Sequence, residues 1–411
     1  MKIVVPLLPF LFLASTLQAG MPPNMILIVA DGINRDVVGC YGANSKTPSI
    51  DRLAEHGIRY ETAWSMPVRS ISQVTLLTGQ YPFRHATGIV PHLEGGSGSE
   101  LKAGAVTIAK ALQSSGYVTA VAGSWRMAEG DLLPERFIQY GFDRHCLWMR
   151  TQKEELGGDL YRRVLVNGEV QPGDLAGDVI HAFINKLMDQ ADQKPFFVYY
   201  PMLSPTTVSS QQKKGLGLRE GGVIRYVDRF VGELVESLDK KGLTDNTLIV
   251  FTSANGFVEP PPPNNARVTM PQVLFSDRAV HVPFIVRAPF LTKGGRTSRD
   301  LIDFSDLYPT LLQVAGVKPP AEVKLDGRSF LPSIKGSIDP FEKRSWIYAQ
   351  FGETWMIRDW EHFLDSAGNF HDLLKDPLQK EEVSPLDKQA PGRRQRLEMI
   401  LKRLPTGNIE N

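Results

Sequence analysis

Pro67-Val68-Arg69-Ser70-Ile71-Ser72-Gln73-Val74-Thr75-Leu76-Leu77-Thr78-Gly79 is the stretch whose reading decides the fold. It reads as the opening of a helix, with Ser70 and Ser72 capping or packing at its start. Upstream, Met25-Ile26-Leu27-Ile28-Val29-Ala30 is an unbroken apolar run rich in β-branched residues. That is the pattern of a central strand buried on both faces of a parallel sheet. The run ends in Asp31-Gly32, which puts Asp31 at the strand's carboxyl end, where open α/β sheets hold ligands.

Helices and strands alternate from there. Ser49 to Gly57 reads as a helix with an N-capping Ser and a terminal Gly, Val106 to Gly116 as a helix and Tyr117 to Ala122 as a strand. Asp178 to Gln190 is a helix and Phe196 to Tyr200 a strand. Arg225 to Gly242 is a long amphipathic helix whose core face carries Tyr226, Phe230, Leu234 and Leu238. Thr247 to Phe251 and Phe284-Ile285-Val286 follow as strands. Such regular alternation predicts an α/β fold with a large, mostly parallel sheet flanked by helices, over about residues 22–335. Gly95 to Gly104, Ser209 to Gly222 and the proline-rich Glu259 to Asn265 read as loops. From about Phe341 the pattern changes to short strands at Ser345 to Gln350, Trp355 to Asp359 and His362 to Asp365, then a helix from Asp387 to Leu404. Residues 341–411 thus read as a small C-terminal antiparallel α+β subdomain.

Composition sets the broad class. A chain of 411 residues can bury one large core with a smaller appended unit. The net charge of +1 and the lack of any basic block argue against a nucleic-acid partner. Lys2, the apolar run Ile3 to Ala14 and the small-polar Ser15 to Gly20 have the layout of a secretory signal peptide over residues 1–19. Pro6, Pro9 and a length short of the ~20 residues that span a bilayer argue against a retained anchor. The expectation is a secreted or periplasmic protein with no transmembrane segment after signal cleavage. Export permits a disulfide, yet Cys40 lies in the apolar run Val37 to Gly42 and reads as a small core residue, so Cys40 and Cys146 read as unpaired.

Several ordered blocks give the chain a resemblance to the sulfatases of the alkaline-phosphatase-like superfamily. Asn24 to Asp31 looks like that family's opening strand, and Thr47-Pro48-Ser49-Ile50-Asp51-Arg52-Leu53-Ala54 is close to its T-P-N-I-D-R-L-A segment. Leu77-Thr78-Gly79-Gln80-Tyr81-Pro82 matches L-T-G-R-Y-P, and Thr247 to Gly256 resembles the strand and turn T-x-x-x-F-T-S-D-N-G. Gly116-Tyr117 with Gly123, Val282 to Arg287, Asp306 to Leu312 and Phe370 to Pro377 are similar to further blocks in the same order. The resemblance implies a sulfuric ester hydrolase in which a Cys or Ser, oxidised to formylglycine, opens a C/S-x-P-S-R run and works beside a divalent cation.

The opening stretch departs from that pattern. Arg69 stands at the nucleophile's place, Ile71 at the Pro and Gln73 at the closing Arg. The family's opening aspartate pair aligns with Asp31 and Gly32, and its later Asp-Asn pair with Ala254 and Asn255, leaving Asp31 and Asn255 as residual metal positions. The Gly-Lys-Trp-His region reads Gly123-Ser124-Trp125-Arg126, the A-P-H-x-P histidine falls at Pro205-Thr206 and a late Lys at Gln272. His281 stands where the family carries Arg before Val-Pro and reads as a packed histidine, and His85 reads as support for the active-site helix. No bound cofactor is expected, because Ca²⁺ would need ligands beyond Asp31 and Asn255. A guanidinium at Arg69 could instead pair with Asp31 and take over the metal's electrostatic role. Three functional readings stand: a secreted family member without formylglycine-dependent catalysis, an active sulfate- or phosphate-ester hydrolase with an atypical site, or a non-catalytic binder of sulfated or anionic glycans. The anion-binding candidates for the last are Arg69, Arg126 and His281.

Overall fold

Alternation along one strand explains how the core divides. In β1, Asn24–Ala30, every residue is buried. Met25, Leu27 and Val29 enter one apolar cluster, and Ile26, Ile28 and Ala30 enter another on the opposite sheet face. The first face is covered by the helices Arg69–Thr78, Ile108–Gln113 and Leu307–Val314. The second is covered by Pro48–Glu55, Ala176–Met188 and Gly222–Lys240. The computed structural model describes residues 21–87, 101–102, 104–125, 127, 134–149, 163–172, 176–190, 194–202, 222–256, 274–377, 379–384, 387 and 389–404. Residues 1–20, which include the signal peptide read over 1–19, and most of the three loops read from the sequence lie outside that set.

The remaining strands of the large sheet are β2 Ile58–Trp64, β3 Val118–Gly123, β4 Arg144–Trp148, β5 Arg163–Val166, β6 Glu169–Pro172, β7 Phe196–Pro201, β8 Thr247–Ser253, β9 Phe284–Arg287 and β10 Arg296–Asp303. Their order is β10-β2-β9-β8-β1-β7-β3-β4-β5-β6. The centre, β8-β1-β7-β3-β4, is parallel throughout, while β9 runs antiparallel to both β2 and β8, and β5 to both β4 and β6. The sheet is therefore mixed with a parallel centre. A second sheet of four antiparallel strands is formed by β11 Ile347–Phe351, β12 Thr354–Arg358, β13 His362–Asp365 and β14 Phe370–Asp372. The sequence reading anticipated three of them, and β14 was hidden in the block Phe370 to Pro377.

Ser49 does not cap its helix. The helix starts at Pro48, and the Oδ1 of Asp228, reaching from Gly222–Lys240, accepts from the backbone N–H of Ser49 and Ile50 at 3.0 and 2.9 Å. One helix thus satisfies the orphan donors of another. Gly79 ends the Arg69–Thr78 helix in a left-handed conformation, φ +67°, and its N–H donates to the Thr75 carbonyl at 2.8 Å. Cys40 and Cys146 are both free thiols, and burial pushes each up to about 12.

The small sheet is fastened to the large one by buried charge as well as by apolar packing. Trp64, Met66, Ile71 and Tyr81 share a cluster with Ile347, Met356, Ile357 and Phe363. Arg344, just before β11, donates through Nε to both carboxylate oxygens of buried Asp306 at 3.0 and 2.9 Å. Asp303 accepts from the Tyr81 hydroxyl at 2.8 Å and from the Tyr348 N–H at 3.1 Å. His85 accepts from the Thr87 N–H through Nδ1 at 3.0 Å and faces the Thr75 hydroxyl through Nε2 at 3.1 Å, so it braces the Arg69–Thr78 helix.

Replacing Arg344 by Met should strand the Asp306 charge and destabilise the protein by about 3–5 kcal/mol in chemical denaturation, whereas an Arg344→Met, Asp306→Asn pair, which removes the charge and keeps an acceptor for the Asp303 or the Arg328 N–H, should lose less. Burial of the His85 ring, with a smaller contribution from Lys102, pulls its pKa down to about 3. The unfolded chain then binds a proton that the folded one refuses, so stability falls with pH from about 6.5 towards 3, by at most about 1.4 kcal/mol per unit. His85→Gln, which removes this site, should be less stable at pH 7, with the gap to wild type narrowing in melts run down to pH 4.5.

Candidate functional site

Parallel register brings the candidate residues to one edge of the sheet. Ala30 of β1 lies opposite Ser253 of β8, and Val29 opposite Pro201 of β7. Asp31 and Ala254-Asn255 therefore leave neighbouring strands side by side, with the Ala254 N–H donating to the Ala30 carbonyl at 2.8 Å. Ser253 ties the two ends further, its Oγ accepting from the Ile33 N–H at 3.0 Å and donating to the Asn255 carbonyl at 2.9 Å. That stitch was not foreseen, since an isolated Ser after a strand carries no signal of its own. Ser124 follows β3, two strands from β1, and its N–H donates to the Pro201 carbonyl at 2.7 Å. The approach of β7 here requires Gly123, whose absent Cβ would lie 1.9 Å from the Pro201 oxygen and whose φ is +140°.

Arg69 reaches this edge from the first turn of its helix. Its Nη1 lies 2.8 Å from Oδ2 of Asp31, with the carboxylate side chain 7% exposed and the guanidinium 24%. Ser72 sets the helix start by accepting from the Met66 N–H at 2.9 Å and donating to the Met66 carbonyl at 3.1 Å. The serine therefore packs at the start of the helix and is spent on backbone. Gln73, one turn after Arg69, is buried with Oε1 lacking a partner. Ser124 Oγ, Asn255 Oδ1 and Arg69 Nε are likewise buried atoms without a hydrogen-bond partner among the described residues.

Not every candidate joins this group. His281 is on the same sheet edge but beside β2, where it bridges Trp64. Its Nδ1 is 2.9 Å from Asp277 Oδ2 and its Nε2 2.8 Å from the Glu61 carbonyl, with Arg35 Nη1 3.3 Å away. It is a packed histidine with its own partners. Burial would raise the Asp277 pKa, yet His281 and Arg358 outweigh it and hold that carboxyl well below the usual carboxylate range. Arg126, Pro205, Thr206 and Gln272 lie outside the described residues.

The chemistry open to this site follows from its donors. Arg69 offers neither a nucleophilic oxygen nor a sulfur that could be oxidised. A hard divalent cation wants about six oxygen ligands, carboxylates prominent among them. Here Gly32 and Ala254 contribute no side-chain oxygen, Asp31 is engaged by a guanidinium, and the Asn255 amide nitrogen donates to the Gly256 carbonyl at 2.9 Å. No group of three or more His, Cys, Asp or Glu placed to hold a metal occurs among the described residues. The residues present do not fit a family-type Ca²⁺ site.

Comparison with known proteins agrees with the ordered sequence blocks. The Sulfatase family model matches residues 23–317. Human arylsulfatase A is 31% identical over 418 residues, spanning 89% of this chain and 80% of that protein. The N-acetylgalactosamine-6-O-sulfatase of Bacteroides thetaiotaomicron is 25% identical over 494 residues, spanning 95% and 94%. The crystal structure of Ps i-CgsB, also solved in complex with k-i-k-neocarrahexaose, superposes with a TM-score of 0.76 at 26% identity, covering 93% of this chain and 92% of its own. The phosphonate monoester hydrolase of Agrobacterium radiobacter, at 20% identity and a TM-score of 0.69, shares the alkaline-phosphatase-like fold. Its family model, its relatives and its architecture agree: this chain belongs to the sulfatase family.

Proposed function

We propose that this protein is an exported member of the sulfatase family that has lost formylglycine-dependent ester hydrolysis. The observation that carries the reading is the 2.8 Å ion pair between Arg69 and Asp31. It puts a side chain with no nucleophilic atom at the nucleophile's position and engages the remaining carboxylate of the metal site. The absence of side-chain oxygens at Gly32 and Ala254 and the loss of a basic residue at Ser124 support the same reading. Export is supported by the apolar run Ile3 to Ala14, and among the described residues no helix is long and apolar enough to cross a membrane.

A second reading is retention of a sulfated or otherwise anionic ester or glycan without turnover. It is favoured by the buried Arg69 Nε–H, which has no acceptor among the described residues. The complex of Ps i-CgsB with k-i-k-neocarrahexaose supports a saccharide as the ligand type. Under this reading Arg69, with Arg126, would meet the anion.

Purified protein supplied with 4-nitrophenyl sulfate or 4-nitrophenyl phosphate should show no turnover above the blank, and Ca²⁺ should not raise its Tm. Stoichiometric Ca²⁺ with measurable hydrolysis would establish the active, atypical-site alternative. Retention without turnover would appear as binding of a sulfated oligosaccharide that weakens with salt and with Arg69→Ala or Arg126→Ala. The ion pair itself is testable by a double-mutant cycle of Arg69→Ala and Asp31→Asn, with a coupling energy of about 1–3 kcal/mol in denaturant unfolding. Coupling near zero would remove the pair from its central role.

A further inference from the structure

A cleft of about 920 Å³ lies where the large sheet meets the small one, lined by neither Asp31 nor Arg69, Ser124 or Asn255. Its size is that of a small-molecule site. Most of the charge on its walls is spent internally. Arg35 pairs with Glu61 at 3.0 Å, Arg278 with Asp36 at 3.2 Å and Arg358 with Asp277 at 2.8 Å. Arg299 and Glu361 are the exceptions. Both line the cleft, both are exposed, and neither side chain has a hydrogen bond or ion pair among the described residues.

Trp360, the chain neighbour of Glu361, lines the same cleft with a ring that is held still. Trp360 occupies the turn from β12 to β13 and is 40% exposed. Its Nε1 donates to the Arg299 carbonyl at 3.0 Å, and its own carbonyl accepts from Arg358 Nη2 at 3.2 Å. The turn is locked a second time by Asp359 Oδ1, which accepts from the N–H groups of Glu361 and His362 at 2.9 and 2.8 Å. An immobilised indole loses little entropy on meeting a ligand. Leu374, 70% exposed, adds apolar lining beside it.

We propose that this cleft is a ligand site for a hydroxylated cyclic acid. The ring lies on the Trp360 indole, the acidic substituent accepts from Arg299, and ring hydroxyls donate to Glu361. An uncommitted guanidinium calls for an anion, which a carboxylate or a sulfate supplies equally well. An uncommitted carboxylate in the same cleft favours donors on the same molecule, which a simple aromatic acid lacks. The assignment is independent of whether the Arg69 site turns over an ester.

Isothermal titration of the purified full chain with glucuronate and with glucose 6-sulfate tests it, with glucose and benzoate as controls. At least one acid should bind saturably in the millimolar range, and which one tells carboxylate from sulfate. Glucose lacks the anion and benzoate the hydroxyls, so each should bind roughly tenfold more weakly. Arg299→Ala and Trp360→Ala, both at exposed side chains and checked by thermal melting for an intact fold, should weaken the acid by a similar factor. Arg69→Ala should leave its affinity unchanged. Saturation by neither acid, equal binding of glucose, or an affinity that ignores Arg299→Ala but falls with Arg69→Ala would overturn the assignment.

Discussion

One ion pair, Arg69 against Asp31, joins the helix Arg69–Thr78 to the carboxyl end of the central strand β1. A carboxylate at the carboxyl end of a buried parallel strand is costly unless a cation stays beside it. In the family this chain belongs to, the resemblance assigns that task to a metal held by several acidic residues. Here the cation beside Asp31 is a side chain. Under the proposed reading Gly32 and Ala254 stand in place of aspartates, so that a single positive charge meets a single carboxylate. The substitutions make sense together as one change in charge balance, whereas a lone Arg at position 69 among four intact metal ligands would face a divalent cation at close range.

The fold tolerates this because the core and the site draw on different parts of the same strands. Alternating residues within β1, β7 and β8 fill the two apolar clusters. The site is built from the first residues beyond the strand ends, which add little to either cluster. Ser72 and His85, spent on the Met66 backbone and on Thr75 and Thr87, keep the Arg69 helix in place whatever stands at its head. An architecture of this kind does not depend on the chemistry of the site it carries.

Buried charge recurs where the small sheet docks. Arg344 meets Asp306, and Arg358 meets Asp277, each guanidinium reaching from the small sheet's side to a carboxylate on the large domain. Apolar packing alone would allow the small sheet to slide, whereas bidentate and multiply bonded guanidiniums define its orientation. The same contacts set the turn that carries Trp360 and thus the shape of the cleft.

Much of this was legible in the residues. Runs such as Met25 to Ala30 and Thr247 to Phe251 announce buried strands because burial on both faces leaves no room for a polar residue. The ordered motifs pointed to the family, and the residue types at positions 31, 69, 254 and 255 leave Asp31 as the one carboxylate among them. The pairing of Arg69 with Asp31 could be reasoned from opposite charge at adjacent motif positions. Other features lie beyond a one-dimensional reading. β9 is antiparallel, the helix at Pro48 is capped by Asp228 from 180 residues away in the chain, and His281 belongs to an Asp277–Glu61 cluster, away from the Arg69 site. Strand composition is the same in either direction, and a cap or charge partner supplied by a distant element leaves no mark on the local sequence. Sequence by itself therefore determined the family, the buried strands and the residue types available at the candidate site. Only the tertiary structure decided which charges meet, because long-range partners are chosen by strand order and register.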